Sequence, residues 1–317
     1  MSDPQPGTTR PTARRVAVLT HTGRRMAVEA AVRFVTGLSR HGITALVPCE
    51  DADLLQERCT DGLIEPFEPR DVAVHDGCEL AVVFGGDGTI LRGAEWAVPA
   101  EVPLLGVNLG HVGFLAEAES SEIDTVVEHV VSGDWRLEER VVIEVSVTTP
   151  DGDGPSWTTF AVNEVSLEKA SREKMLETMV EIDRRPLSRW SCDGVLVATP
   201  TGSTAYAFSA GGPVMWPGVE ALLLVPLSAH ALFARPLVLD PSSTIRIEIL
   251  GESKAAGVVW CDGRRSSEVL SGTVVEIQRS DHRLRLARLT RAPFTDRLVS
   301  KFGLRVEGWR GGREVLS

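Results

Sequence analysis

The sequence predicts two domains of different class, an N-terminal α/β domain with a parallel, Rossmann-like sheet and a C-terminal all-β sandwich. Three observations carry this. Near the N-terminus a strand-like run, a helix-period stretch and a second strand-like run follow one another, the order a parallel sheet requires. A continuous apolar run, Leu80 to Phe84, opens directly into Gly85-Gly86-Asp87-Gly88-Thr89 and then into helix-compatible residues. After residue 134 short β-branched runs recur between Gly, Pro, Asp and Ser, as in all-β domains.

In chain order, Arg15 to Thr20 reads as the first strand and Arg24 to Arg40 as a helix, with Ala27, Ala31, Phe34, Val35 and Leu38 at helical spacing. His41-Gly42 supplies its stop, and Ile43 to Val47 the second strand. Residues 49–78 are acidic and mixed and yield no clear element. Val102 to Val107 is a further strand, ending in Asn108-Leu-Gly-His-Val-Gly-Phe-Leu115, where two glycines indicate close backbone approach. Within it Phe114 reads either as core or as a ring that stacks on a ligand, and His111 as a satisfied polar residue. Ser120 to Val131 reads as a helix with Ser121 and Asp124 resembling a capping box and Gly133 at the exit. The β domain then offers Val141–Thr148, Trp157–Leu167, Thr178–Ile182, Val195–Ala198, Leu222–Pro226, Thr244–Leu250, Gly257–Trp260 and Thr273–Gln278. Ala292 to Ser317 carries Phe294, Leu298, Val299 and Phe302 at helical spacing, a stripe suited to docking on the first domain. The expected domains are a mobile tail at 1–13, an α/β domain of 14–117 plus 292–317, and a β sandwich of 118–291.

Composition narrows the function. A hydrophobic fraction of 43% supports a sizeable core, and a net charge of −11 argues against an electrostatic nucleic-acid binder. The five cysteines are scattered without a C-x-x-C pair, which predicts a reducing compartment and neither a disulfide framework nor a structural zinc site. The seven histidines show no metal-ligand spacing, so no protein metal site is expected. No apolar stretch approaches the ~20 residues of a membrane span, and Val16 to Leu19 is too short for a signal-peptide core. A cytoplasmic protein is expected.

The glycine loop carries the first chemistry. The start of the following helix has partial positive charge and free N–H groups, which suits a phosphate. A carboxylate in such a cradle repels phosphate unless Asp87 holds a cation or takes a proton from an attacking hydroxyl. The loop is neither a Walker A motif nor Gly-x-Gly-x-x-Gly, and a plain strand-to-helix turn with an aspartate holding amides stays open. A second constellation lies in the β domain. Asn163-Glu164 interrupts a strand-like run, either as one residue in and one out or as a pair facing a ligand. Cys192-Asp193 leads through a strand into Thr199-Pro-Thr-Gly-Ser-Thr-Ala-Tyr206, Ser209 and Gly211-Gly-Pro213. Its clustered hydroxyls, small residues and the only tyrosine suit a polar ligand with sugar hydroxyls and an aromatic base.

Taken together and in this order, Gly85-Gly-Asp-Gly-Thr89, Asn163-Glu164, Asp193-Gly194, Thr199 to Tyr206 and Gly211-Gly-Pro213 resemble NAD kinase from about Val16 to about Leu289. Ser228-Ala-His-Ala-Leu-Phe-Ala-Arg-Pro236 is similar to the family as well. The pentapeptide alone is shared with diacylglycerol and sphingosine kinases, so the fold expected is NAD kinase/diacylglycerol kinase-like. The resemblance implies transfer of a phosphoryl group from ATP, or from polyphosphate, to the 2′-hydroxyl of the adenosine ribose of NAD, giving NADP. It implies Asp87 as the base, Gly86, Gly88, Thr89 and Arg92 near phosphate, and Asn163 and Glu164 on NAD. It places Lys174 near phosphate, puts Asp193, Thr204, Ala205, Tyr206 and Ser209 on the dinucleotide, and sets Phe114 on the same cleft. Mg2+ is expected with the nucleotide, and a homodimer or homotetramer with shared sites. Two departures are visible: Arg264 follows Asp262-Gly263 where many relatives carry glutamine, and Ser191 stands where some carry a basic residue. A lipid kinase sharing the glycine loop and a non-catalytic NAD(P) sensor are the competing readings.

Overall fold

The computed structural model describes residues 14–69, 77–110, 113–171, 174–251, 256–290 and 292–305. The expected tail at 1–13, His111 and the end of the last segment, 306–317, lie outside the described residues. The described residues form two compact units, one up to Glu138 and again from Arg285, the other from Glu139 to Leu284.

The first unit runs β1 (Arg15–Thr20), α1 (Arg25–Ser39), β2 (Thr44–Pro48), α2 (Cys49–Arg58) and β3 (Ile64–Phe67). It continues with β4 (Cys78–Phe84), α3 (Asp87–Ala97), β5 (Leu104–Asn108), the short β6 (Ala118–Glu119) and α4 (Ile123–Ser132). The strands pair in parallel in the order β3-β2-β1-β4-β5. Helix α1 buries Ala27, Ala31, Phe34, Val35 and Leu38, the stripe its period predicts, and Phe34 meets Phe84 at 5.4 Å between ring centroids. Helix α2 fills part of the stretch that gave no clear element. Asp51 and Leu55 are its only buried residues, so it has no apolar period to announce it.

Helix α4 starts differently from the expectation. A 3-10 turn at 120–122 precedes it, and Glu119 with Glu122, rather than Ser121 with Asp124, makes the reciprocal cap. At its other end Gly133 adopts the left-handed conformation, and Arg14 donates to the carbonyls of Val130 and Val131 at 2.6 and 2.7 Å while pairing with Glu79. The last carbonyls of the helix thus find a cation, as its dipole favours.

The second unit holds β7 (Arg136–Thr148), β8 (Trp157–Ala161), β9 (Glu164–Lys169), β10 (Leu176–Ile182), β11 (Arg185–Cys192) and β12 (Gly194–Ala198). There follow α5 (Tyr206–Ser209), β13 (Leu222–Leu227), β14 (Leu237–Leu239), β15 (Ile245–Ile249), β16 (Gly257–Cys261), β17 (Arg265–Val269) and β18 (Val274–Arg288). Two antiparallel layers result: β8-β7-β18-β15-β10-β11, and β14-β13-β12-β9-β16-β17. Their facing side chains, Ile143, Val180, Trp190 and Ile247 among them from one layer and Leu167, Val197, Leu224 and Val259 from the other, form one core. Strands β12 and β13 are buried throughout because their other face is covered too, with Ala207 and Met215 packing on Leu196, Leu223 and Val225. That accounts for their continuous apolar sequence. The expected single run Trp157–Leu167 is broken. It turns at Val162-Asn163, so β8 and β9 join different layers.

From Arg285, still within β18, the chain belongs again to the first unit, where Leu286 pairs in parallel with Leu104 and α6 (Phe294–Phe302) ends at the left-handed Gly303. No helix among the described residues is long and apolar enough to cross a membrane.

Candidate functional site

Asp87 is the first residue of α3, with Gly86 as the residue that caps it in extended conformation. The glycine loop is therefore shorter than the sequence indicates, and an acid in the first turn is favoured by the helix dipole. None of Gly85, Gly86 and Gly88 has positive φ, so freedom of dihedral angle is not what the loop uses. Gly85 is needed for space instead, since a side chain there would run into Thr89. Around Gly86 and Gly88 no atom lies where a side chain would project, which leaves the α3 N-terminus open to a ligand.

The Asp87 carboxylate accepts N–H from Phe114 at 3.1 Å and from Leu115 at 3.2 Å. Gly113 must lack a side chain, because a Cβ there would collide with Asp87 Oδ1. Both carboxylate oxygens are held by one amide each, which leaves lone pairs on both for a hydroxyl proton. The Phe114 ring is core, packing on Phe294 and Phe302 at 5.8 and 5.9 Å, while its amide holds Asp87. The Arg92 guanidinium faces Glu50 at 3.4 Å and Asp51 at 3.7 Å, so its charge is shared with two carboxylates at the start of α2.

In the second unit Asn163 and Glu164 sit on a turn held by Asp262. That carboxylate accepts the N–H of Val162, Asn163 and Glu164, the shortest at 2.7 Å, and Arg265 donates to it at 3.0 Å. Asp262 stands at φ 54 in the β16–β17 hairpin, a conformation aspartate tolerates. The Thr199–Thr204 stretch packs against the same turn. Thr199 donates its hydroxyl to the Val162 carbonyl at 2.6 Å and its N–H to that of Asn163 at 2.9 Å. Gly202 lies so close to the Asn163 backbone that a Cβ would overlap it. The hydroxyls of Thr199 and Ser203 are fully buried and spent inside the protein, Ser203 on the Pro200 carbonyl and the Met215 amide. They are structural, contrary to the reading of this run as a bank of hydroxyls for a ligand. Thr204 donates to the Thr201 carbonyl at 3.2 Å, and Ala205 leads into Tyr206.

The same unit has a cleft of about 460 Å³, lined by Asp193, Tyr206 and Ser209 together with Glu168, Lys169 and Ser228. Lys169 pairs with Asp193, and its hydrogen bond holds that carboxyl below the usual range. Burial, and then the carboxylates of Glu168, Glu164 and Asp193, push the Tyr206 phenol up, so it remains a donor at neutral pH. Glu164 is pushed to about 8, first by burial and then by Asp262, against a lowering from the Tyr206 amide. Its Oε2 is buried without a hydrogen-bond partner, whereas Asp262 is committed as acceptor on both oxygens. Glu164 is thus the member of the pair that carries a proton at neutral pH. Lys174 is exposed and does not line the cleft. Asp262 and Lys169 were not singled out as site residues from the sequence. The Asp262-Gly263 dipeptide is a visible hairpin signal, but what its carboxylate holds lies about a hundred residues away in sequence. Lys169 meets Asp193 only because β9 pairs with β12.

Residues 16–135 match the ATP-NAD kinase N-terminal domain and residues 162–289 the ATP-NAD kinase C-terminal domain. The NAD kinase of Cutibacterium acnes is 50% identical over 302 residues, covering 95% of this chain and 93% of its own. That of Thermobifida fusca is 52% identical over 306 residues, covering 95% and 92%. Among solved structures, yeast NADH kinase complexed with NADH superposes with a TM-score of 0.83 at 25% identity, covering 98% of this chain and 91% of the yeast chain. An NAD kinase from Archaeoglobus fulgidus in complex with ATP gives 0.67 at 26% identity, covering 90% and 98%.

The Glu164 proton has a measurable consequence. The folded protein keeps it up to about pH 8, whereas an unfolded chain releases it near 4.5. The stability it contributes is therefore complete below 4.5 and is lost as pH rises to about 8. Glu164→Gln preserves the shape and cannot ionise. Urea midpoints of the variant are expected to gain on the parent's across that interval, and parallel curves would show that another group titrates.

Proposed function

The chain belongs to the NAD kinase family, and on that premise we propose how its residues divide the phosphorylation of NAD to NADP. The lipid-kinase alternative falls with the family. The acceptor in this reading is the 2′-hydroxyl of the adenosine ribose of NAD, and the donor is ATP, with polyphosphate as the second donor. The Archaeoglobus fulgidus relative, solved with ATP, supports the first donor.

The observation that carries the reading is the Asp87 carboxylate, held by the Phe114 and Leu115 amides at the start of α3. Asp87 takes the proton of the attacking hydroxyl, while the α3 N-terminus beside Gly86, Gly88 and Thr89 receives phosphate. Little covalent chemistry remains for the protein in phosphoryl transfer, so a base fixed by two amides contributes chiefly by positioning. Arg92 and Lys174 are assigned to the phosphates as cations. Arg92 would exchange its present partners, Glu50 and Asp51, for phosphate oxygens.

NAD is assigned to Asn163, Glu164, Asp193, Thr204, Ala205, Tyr206 and Ser209 of the second unit, and Phe114 of the first is assigned to NAD as well. The cleft at Asp193 and Tyr206 supports this, as it offers a phenol donor and a carboxylate already neutralised by Lys169. Among the described residues no three His, Cys, Asp or Glu side chains gather as a metal cage. Magnesium carried by nucleotide phosphates keeps much of its water and needs no dedicated cage of protein side chains. When bound, Mg2+ supplies charge neutralisation on the phosphates. A homodimer or homotetramer in the cytoplasm completes the proposal.

The test is NADP formation from NAD and MgATP, read by an NADP-specific dehydrogenase, with polyphosphate in a parallel tube. NADP is expected with ATP. No NADP in either tube, with NAD still raising the melting temperature, would favour the sensor reading. Asp87→Asn is expected to lower turnover by roughly a hundredfold or more while NAD affinity changes little. Wild-type turnover in that variant would sink the general-base assignment. Asn163→Ala is expected to raise KM for NAD by about tenfold, the loss of one good hydrogen bond, with kcat nearly unchanged. An unchanged KM would remove Asn163 from the NAD contacts.

A further inference from the structure

The two residues whose amides hold Asp87 are themselves gripped by their carbonyls. Arg297 on α6 donates through Nη1 to the carbonyls of Phe114 at 3.0 Å and Ala116 at 2.9 Å, and through Nη2 to Glu117 Oε2 at 2.7 Å. Arg288 donates to the Leu115 carbonyl at 3.3 Å and to the same Glu117 oxygen at 3.1 Å. Phe114 and Leu115 are therefore each held on one side by Asp87 and on the other by a guanidinium. Glu117 is 1% exposed in its side chain and Arg297 14%, so the arrangement is interior. The Glu117 Oε1 meanwhile takes the amides of Leu289 and Thr290, and the Glu117 amide bonds the Gly106 carbonyl on β5. The stretch 114–117 has almost no ladder of its own, and these bonds stand in for one. The Phe114 ring between Phe294 and Phe302 ties the same stretch to α6 a second time.

We propose that Arg297 is a positioning residue for phosphoryl transfer: by fixing the carbonyls of 114 and 116 it fixes the amides that hold Asp87. This rests on Asp87 as the base. A planar fork is what the geometry requires, because one guanidinium spans two carbonyls and a carboxylate. An ammonium in its place has the charge but not the spread. Arg297 is also the arginine that can be removed with least damage, since Glu117 keeps Arg288 as its counter-ion.

Arg297→Met retains the apolar stem and removes the fork. Its kcat is expected to fall by about tenfold, with KM for NAD within about twofold, and Arg297→Lys is expected to fall between it and the parent. Hydrogen exchange at the Phe114 and Leu115 amides is expected to quicken by roughly tenfold in Arg297→Met. In an Asp87→Asn background the Arg297 substitution should cost little more, because the group it positions is gone. Wild-type kcat in both Arg297 variants, unchanged exchange at 114 and 115, or an equal fold-loss in the Asp87→Asn background would each overturn the proposal. The two readings separate cleanly: turnover retained by Asp87→Asn fails the base, while unchanged exchange in Arg297→Met fails the clamp.

Discussion

Where this chain leaves its sheet ladders, carboxylates replace the ladder as acceptors of backbone N–H. Asp87 takes the amides of Phe114 and Leu115, Asp262 those of Val162, Asn163 and Glu164, and Glu117 those of Leu289 and Thr290. A buried amide without an acceptor costs about 1–3 kcal/mol, so each carboxylate fixes its stretch firmly. Two of the three carry guanidinium partners, Arg265 on Asp262 and Arg288 with Arg297 on Glu117. Among the described residues no cation pairs with Asp87. The amides that hold Asp87 belong to residues whose carbonyls are in turn taken by Arg288 and Arg297.

The second unit meets a different difficulty. A net charge of −11 is unfavourable for a dinucleotide, which brings negative phosphates of its own. Locally that charge is reduced where the candidate contacts lie. Glu164 carries a proton at neutral pH, Lys169 is paired with Asp193, and Arg265 with Asp262. Glu164 then offers a hydroxyl donor, and the raised Tyr206 phenol remains one.

Some elements were legible in the sequence because their signals are local. Helix α1 showed its buried face in the spacing of Ala27, Ala31, Phe34, Val35 and Leu38, and β4 appeared as an unbroken apolar run ending in glycine. Strands β12 and β13 were visible for the same reason. Helix α2 was not, because only Asp51 and Leu55 face inward, and the 3-10 turn before α4 moved the cap to Glu119 and Glu122. The run from Trp157 to Leu167 misled because the turn at Val162-Asn163 is made by a carboxylate about a hundred residues further on. The Thr199 and Ser203 hydroxyls looked like ligand contacts and are internal bonds.

By itself the sequence determined the two fold classes, the family and the residues of its motifs, since periodicity and motif spacing are properties of neighbours along the chain. It named Asp87 and the Asn163-Glu164 pair. Tertiary structure alone decided how these are held: that Asp87 rests on the amides of 114 and 115, that Asp262 closes the turn under Asn163, that Lys169 neutralises Asp193. It also decided that an arginine on the last helix grips the stretch behind Asp87. Each of these depends on a pairing between distant segments, and strand register and helix docking bring such segments together only when the whole core forms.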